Sequence, residues 1–476
     1  MKRNLTVLSD KAIQDIHTAT LSILERVGVR VHHDGILVML ADAGARVNRR
    51  KQTAWFDAAM VMGSVAKAGK QYVLYGRDGT KTARFGFGDV VTLSSPGQYT
   101  WVDPINKTRR QPTSNDTRHA ILVGDALDNI NIVGAMTQPV DIPTPIRDIW
   151  LAGELVKHTR KPTRCWFANG TTVRYILEIY RAVAGGEQAL RERPQIDAFI
   201  EPISPLQMPT TGMEILLEFT SAGLPVSYGP MVQAGATGPA TLAGTLAQEN
   251  AENLAAIVIT QVLRPGTPVM YGGICHILDM RTTSISFGSP EQGLLSVAMA
   301  QMAKWYGFPV YVNAGLGDSK LVDVQSGLER GMNFLLGVLA GGDLVAHMGI
   351  SGADQGASLP QLVADNEMIG FVRRVLRGVV VDERALAVDV IEEVGHDGQH
   401  LAHPHTVASF RDEFWMPTMW DRNGWDMWLQ AGGTTMAERA YAEVERILNT
   451  PPTEQIDERL AKEIDCIVAA ARSELL

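Results

Sequence analysis

The sequence predicts an α/β protein, a (β/α)8 TIM barrel with an N-terminal helical and hairpin extension and a C-terminal helical one. Three observations carry that expectation. From about residue 90, eight short apolar runs rich in β-branched and aromatic residues recur along the chain. Segments with helical spacing separate them, the alternation of a parallel sheet closed by crossover helices. The runs also lack polar alternation, as strands buried on both faces do.

Taken in order, the runs are Val90–Leu93, Asn131–Ala135, Thr163–Ala168, Asp197–Ile200, Pro225–Tyr228, Pro268–Tyr271, Pro309–Val312 and Asp343–Ala346. The helical segments are Asn115–Leu127, Pro145–Thr159, Val173–Ala184, Thr210–Ala222, Pro239–Leu263, Pro290–Tyr306, Val322–Ala340 and Leu359–Leu376. Pro239 and Pro290 are expected near first turns, where a missing N–H costs nothing. In "GLPV", "RPGTPV" and "YGFPV" a glycine ends a helix and a proline leads the next strand. No G-x-G-x-x-G follows the first strand, which argues against a doubly wound open sheet. Residues 1–89 are expected to pack on the barrel as an extension, with a hairpin around "QYVLYGRDGTKTARFG". The barrel spans 90–377, and 378–476 end in polar amphipathic helices after Pro451-Pro452.

Composition narrows the function. With 43 Lys+Arg against 52 Asp+Glu the net charge is −9, and no basic stripe interleaved with aromatics suggests nucleic acid. The first residues, with two basic side chains but no apolar core segment, read as an amphipathic helix capped by Ser9 or Asp10 rather than a signal peptide. No run of about 18 uncharged apolar residues predicts a membrane span. Cys165, Cys275 and Cys466 are far apart and odd in number, which fits a reducing, cytoplasmic setting.

Barrel chemistry gathers at the C-terminal ends of strands. Those ends offer glutamines, asparagines, aromatics and methionines, with few convergent acids and no defensible Ser-His-Asp order. No H-E-x-x-H or C-x-x-C appears; His403-Pro404-His405 is a close histidine pair whose spacing would suit a metal, in a stretch that reads as a loop packing onto the barrel. Such walls suit a ligand whose cation is recognised without N–H donation, by aromatic faces and dipoles. Candidate walls are Tyr99, Trp101, Phe167, Tyr228, Trp415 and Trp420, each of which core packing would equally explain.

Three stretches then resemble the trimethylamine:corrinoid methyltransferase family: Ser289–Gly349, Ile200–Met208 and Ser409–Trp428. The resemblance runs over almost the whole chain and implies a (β/α)8 barrel. It also implies methyl transfer from a methylamine to the cobalt of a separate corrinoid protein. Cobalamin would then be carried by that partner, with no cofactor or metal bound tightly here. Family members acting on trimethylamine carry pyrrolysine in the loop after strand seven. In this chain "GDSKLVDVQ" reads through with ordinary residues, Leu321 standing near that position. The departure turns the expectation towards a non-pyrrolysine member resembling the glycine betaine type, with a quaternary amine as donor. Proline betaine, carnitine and γ-butyrobetaine share the same plan, and a non-catalytic betaine-binding protein is the alternative.

Within that frame, His347 at the end of strand eight is expected to bond a substrate carboxylate or face the methyl group. Tyr99, Phe167 and Tyr228 are expected as ammonium walls, and Glu201, Gln233 and Asn313 as a polar ring. Asp318 and Lys320 either shape the pocket or form an ion pair capping helix seven. A homo-oligomer is compatible with the flanking helices.

Overall fold

The computed structural model describes residues 4–451 and 456–476. The first three residues and Pro452 therefore lie outside it, as do the basic side chains at the start of the chain.

Eight parallel strands and the helix after each organise the chain. They are β1 Val91–Ser94, α1 Ser114–Ala126, β2 Val133–Gly134, α2 Arg147–His158, β3 Thr163–Arg164, α3 Gly170–Ala184, β4 Ala198–Ile200 and α4 Thr210–Ala222. There follow β5 Val226–Tyr228, α5 Leu242–Leu263, β6 Val269–Gly273, α6 Pro290–Tyr306, β7 Val310–Val312, α7 Val324–Leu339, β8 Leu344–Met348 and α8 Leu359–Arg377. Six strands form one parallel sheet in the order β4-β5-β6-β7-β8-β1. Strands β2 and β3 pair in parallel, and an isolated bridge between Leu93 and Ile132 ties them to β1. No ladder joins β3 to β4 among the described residues; instead Arg164 on β3 forms a buried ion pair with Asp197 beside β4. The fold is thus a mixed α/β one with a long parallel arc.

Ends follow local chemistry. Ser289 accepts from Gln292 N at the start of α6, with Pro290 in its first turn, and Gly307 closes it at φ 84. Strand β3 stops at Arg164 although the apolar run continues to Ala168. Beyond it Trp166 Nε1 donates to Gly97 O at 3.0 Å, so these residues leave the sheet to reach the β1 loop.

Period-two alternation divides the strands between two cores. Val226 and Tyr228 on β5, Ala198 and Ile200 on β4, and Val310 and Val312 on β7 join the layer facing the helices. Phe199, Tyr311, Leu344 and Ala346 point to the other side, into a smaller core. That inner core also takes Tyr72, Leu74, Ala83 and Phe85 from the hairpin Tyr72–Tyr75 and Thr82–Phe85. The hairpin is pinned from below the strands: the Tyr72 hydroxyl donates to Asp197 at 3.0 Å, and Gly86 N donates to Asp343 at 3.1 Å. It closes the N-terminal end of the arc and leaves the C-terminal end for chemistry.

Past α8, helix Met436–Leu448 packs on α8, and Glu458–Leu475 packs on α2 and α3 with Ile464 against Gly153. Trp415 and Trp420 stack on Phe371 of α8, with ring centroids 5.7 and 5.2 Å away. They pack on the outside of a helix and do not wall the strand ends.

Candidate functional site

The site begins with a break in β8. The register of β8 against β1 shifts between Val345 and Met348, and His347 takes φ 69, a left-handed value rare for a non-glycine residue. Leu344 and Ala346 face the inner core, so regular alternation would send His347 outward among the helices. The bulge turns it back. Gly315 permits this: a Cβ there would stand 2.6 Å from both Ala346 O and His347 C.

His347 is 5% exposed, and its Nδ1 lies 2.9 Å from Asn313 Oδ1 and 3.0 Å from the Tyr311 hydroxyl. An amide oxygen can only accept, so with Asn313 oriented this way Nδ1 carries the proton and Nε2 keeps its lone pair. Burial, reinforced by the positive charge of Arg164, holds the imidazole down to about 3, so the ring is neutral at physiological pH. Asn313 is 1% exposed; its backbone carbonyl accepts from Gln292 Nε2 at 2.6 Å, while its side-chain Nδ2 has no acceptor. A buried amide donor without a partner is costly unless something arrives to use it.

Next to this pair stand two carboxylates. Glu201, half-buried at the end of β4, is pushed up to about 8 by burial and by the charge of Asp354. Asp354 follows β8 and is raised to about 6, burial of its carboxyl outweighing a 2.7 Å hydrogen bond from Gln98 Nε2. The residue as a whole is exposed, and solvent tempers that rise. The same two acids push the Tyr311 phenol up, after burial, which puts Tyr311 within their field. Aromatic faces complete the cluster: Trp166 to Phe199 at 5.5 Å, Phe199 to Tyr311 at 5.4 Å and Tyr311 to His347 at 5.9 Å between centroids.

The turn Gly317–Lys320 proves to be a keystone rather than an ion pair. Asp318 accepts from Ser286 Oγ at 2.6 Å and Phe287 N at 2.7 Å, binding the segment before α6. Glu329 of α7 accepts from Asp318 N and Ser319 N, at 2.7 and 3.1 Å. The carbonyls of Gly317 and Ser319 accept from Ala353 N at 2.9 Å and Gly352 N at 2.8 Å, which positions the loop carrying Asp354. Lys320 is exposed and pairs with no acid among the described residues, and Asp323 rather than Asp318 caps α7.

Of the residues expected from sequence, the structure therefore brings together His347, Asn313 and Glu201. Gln233 sits in the loop after β5, half-buried, with its Nε2 unpartnered. Tyr99 is 72% exposed, outside the enclosed cluster. Tyr228 and Phe167 face the helices, Tyr228 bonded to Thr260 on α5 at 2.5 Å and Phe167 stacked on Phe219 at 5.2 Å. Trp101 already carries Arg110, 5.7 Å from its ring. His403 accepts from His405 N as the cap of helix Pro404–Glu413, and among the described residues no three metal-ligating side chains gather.

Sequence reasoning counted Gln98 only among the polar side chains at the end of strand one, and missed Trp166, Phe199, Tyr311 and Asp354. The signal was faint. Trp166 and Phe199 are each one residue from a residue that was singled out or ended a strand, and Asp354 lies between glycines in "SGADQGA".

The family model described as trimethylamine methyltransferase (MTTB) matches residues 1–475. A trimethylamine methyltransferase of Desulfitobacterium hafniense (strain DSM 10664 / DCB-2) is 32% identical, over 99% of this chain and 95% of that protein. A glycine betaine methyltransferase of Desulfitobacterium hafniense (strain Y51) is 30% identical, over 98% of each. Among solved structures, the monomethylamine methyltransferase of Methanosarcina barkeri superposes with a TM-score of 0.50 at 12% identity, covering 100% of this chain and 88% of that one, a likeness of fold alone. No helix among the described residues is long and apolar enough to cross a membrane. By its family model and by these full-length relatives, the chain belongs to the trimethylamine methyltransferase family and is a methyltransferase.

Proposed function

We propose that the chain transfers a methyl group from a quaternary amine, with glycine betaine as the leading substrate, to the Co(I) of a separate corrinoid protein. The partner's cobalt supplies an electron pair to the methyl carbon, and the C–N bond breaks with its pair retained by nitrogen. A quaternary nitrogen leaves as a neutral tertiary amine and needs no proton. This chain's residues then have to seat the cation, orient one methyl and exclude water.

One observation carries the reading: the buried His347–Asn313 pair is neutral and holds an unspent amide donor, beside two carboxylates and a run of aromatic faces. His347 Nε2 and Asn313 Nδ2 are assigned to orient the substrate, with Glu201 on its cationic side. Gln233, with its own unpartnered Nε2, completes the polar ring. Loop residues Asp318 and Lys320 shape the pocket from behind. Tyr99, Phe167 and Tyr228 take supporting parts only, Tyr99 at the open rim and the other two behind the wall. The names of the full-length relatives, one acting on glycine betaine and one on trimethylamine, support a methylated amine as donor. Ordinary residues through Gly317–Gln325 favour the former.

The same reading takes the arc as a closed (β/α)8 barrel of 90–377 with extensions 1–89 and 378–476. The Arg164–Asp197 pair across the β3/β4 seam supports closure. Three unpaired cysteines support a cytoplasmic setting.

The test is incubation with Co(I) cobalamin and a panel of methylated amines, following methyl-cobalt formation by absorbance. Transfer from glycine betaine is expected. Transfer from trimethylamine alone would overturn the quaternary-amine reading, and binding without transfer would make the chain a betaine-binding protein.

A further inference from the structure

We propose that Asp354, held by Gln98 and facing Glu201, forms the seat of the substrate's quaternary ammonium and sets the preference for a cation over a neutral isostere. This deepens the reading above and rests on it. The seat is built rather than incidental. Gln98 is 6% exposed, its N–H donates to Met136 O at 2.9 Å and its carbonyl accepts from Gln138 N at 2.7 Å, so its amide is aimed by backbone on both sides. Its Nε2 then fixes the Asp354 carboxylate at 2.7 Å. Gly352, Ala353 and Asp354 all take positive φ, 66, 52 and 65, a conformation held by the two bonds to Ser319 O and Gly317 O.

A second observation, independent of the acids, points to a ligand. Asn313 Nδ2, 1% exposed and without an acceptor, belongs to the same cluster through His347 and Tyr311. Its missing partner is an acceptor that the protein does not supply. A ligand with a cation at one end and a carboxylate at the other satisfies both halves: the acids face the ammonium, Asn313 Nδ2 donates to the carboxylate, and the Trp166–Phe199–Tyr311 faces take the methyl groups. A quaternary nitrogen offers no N–H, so Glu201 and Asp354 act on it by charge, beside the buried Tyr311 and His347, where charge counts for more than in water.

Proton release follows. With both acids raised in the folded chain, protons mask part of their carboxylate charge, and a bound cation favours its release. The other groups facing the pair are the Tyr311 phenol, which stays protonated, and His347, which stays neutral. Arg164 is spent on Asp197, and the Lys320 side chain lies along Gly352, its Cγ 3.5 Å from where a Cβ there would stand. Affinity for the cation therefore rises with pH.

Calorimetry tests this on the full chain with glycine betaine and its carbon isostere 3,3-dimethylbutanoate. Asp354→Asn should weaken glycine betaine about tenfold or more and leave the isostere within about twofold. Binding to the wild type should release protons in buffers of differing ionisation enthalpy, and tighten from about pH 5 to about pH 8, with a flatter profile in Glu201→Gln. If Asp354→Asn weakens both ligands equally, or affinity does not change with pH, this inference is overturned while the methyl-transfer reading stands. A wild type that neither binds glycine betaine nor transfers its methyl group would overturn that reading and this inference with it.

Discussion

His347 is where conformation and chemistry meet most directly. Its left-handed φ is a local cost, offset because the bulge aims the ring at Tyr311 and Asn313. Truncation at His347→Ala should lower kcat/KM by about a hundredfold or more, with the unfolding midpoint changed little; intact turnover would remove it from the machinery. Because the ring stays neutral down to about 3, no histidine titration should shape the rate between about pH 5 and 8. Glu201 and Asp354 are the site groups that titrate there, Glu201 the more strongly raised. Its folded value near 8 lies above the ordinary 4.5, so across that window the folded chain holds a proton that the unfolded chain has lost. Stability should consequently fall as pH rises from about 5 to about 8, and Glu201→Gln should flatten its share of the fall. Urea unfolding at the two ends of the window checks this. Glu249, fully buried and also raised to about 8, contributes in the same direction, so the difference between variant and wild type is the measure.

Secondary-structure elements were legible because their stop signals are local. Glycine caps, first-turn prolines and apolar runs located all eight strand–helix units to within a few residues. The direction of each strand side chain was not. In a parallel sheet both faces are apolar, so Phe167 and Tyr228 looked as good as Trp166 and Phe199, and only the packing separates them. Glycines at contacts were equally silent. A Cβ on Gly273 of β6 would stand 1.6 Å from Glu249 Oε1 and 2.8 Å from Met299 Sδ, so Gly273→Ala should cost about 1–3 kcal/mol by overpacking, read from denaturant midpoints. The loop after β7 carries its acid for bracing: Asp318→Asn should loosen the Ser286–Phe287 contact and raise KM by several-fold, with little change in the melting temperature.

Across the whole molecule, the hairpin Tyr72–Tyr75 and Thr82–Phe85 plugs the N-terminal end of the arc. Its anchor is a buried group of three, Arg164, Asp197 and Tyr72. Arg164→Met should strand Asp197 as an unpaired buried charge and destabilise by about 3–5 kcal/mol, measurable in urea unfolding. What the sequence determined unaided was the order of strands and helices and, by resemblance, the family. The order follows from propensity, capping and periodicity, which act over a few residues, and the family from the resemblance of Ser289–Gly349, Ile200–Met208 and Ser409–Trp428. Only the tertiary structure decided that His347 turns inward, that Asn313 keeps an unspent donor, and that Asp354 meets Gln98 across 256 positions of chain. Such pairings depend on the register of strands and the closure of loops, quantities that no local stretch of residues contains.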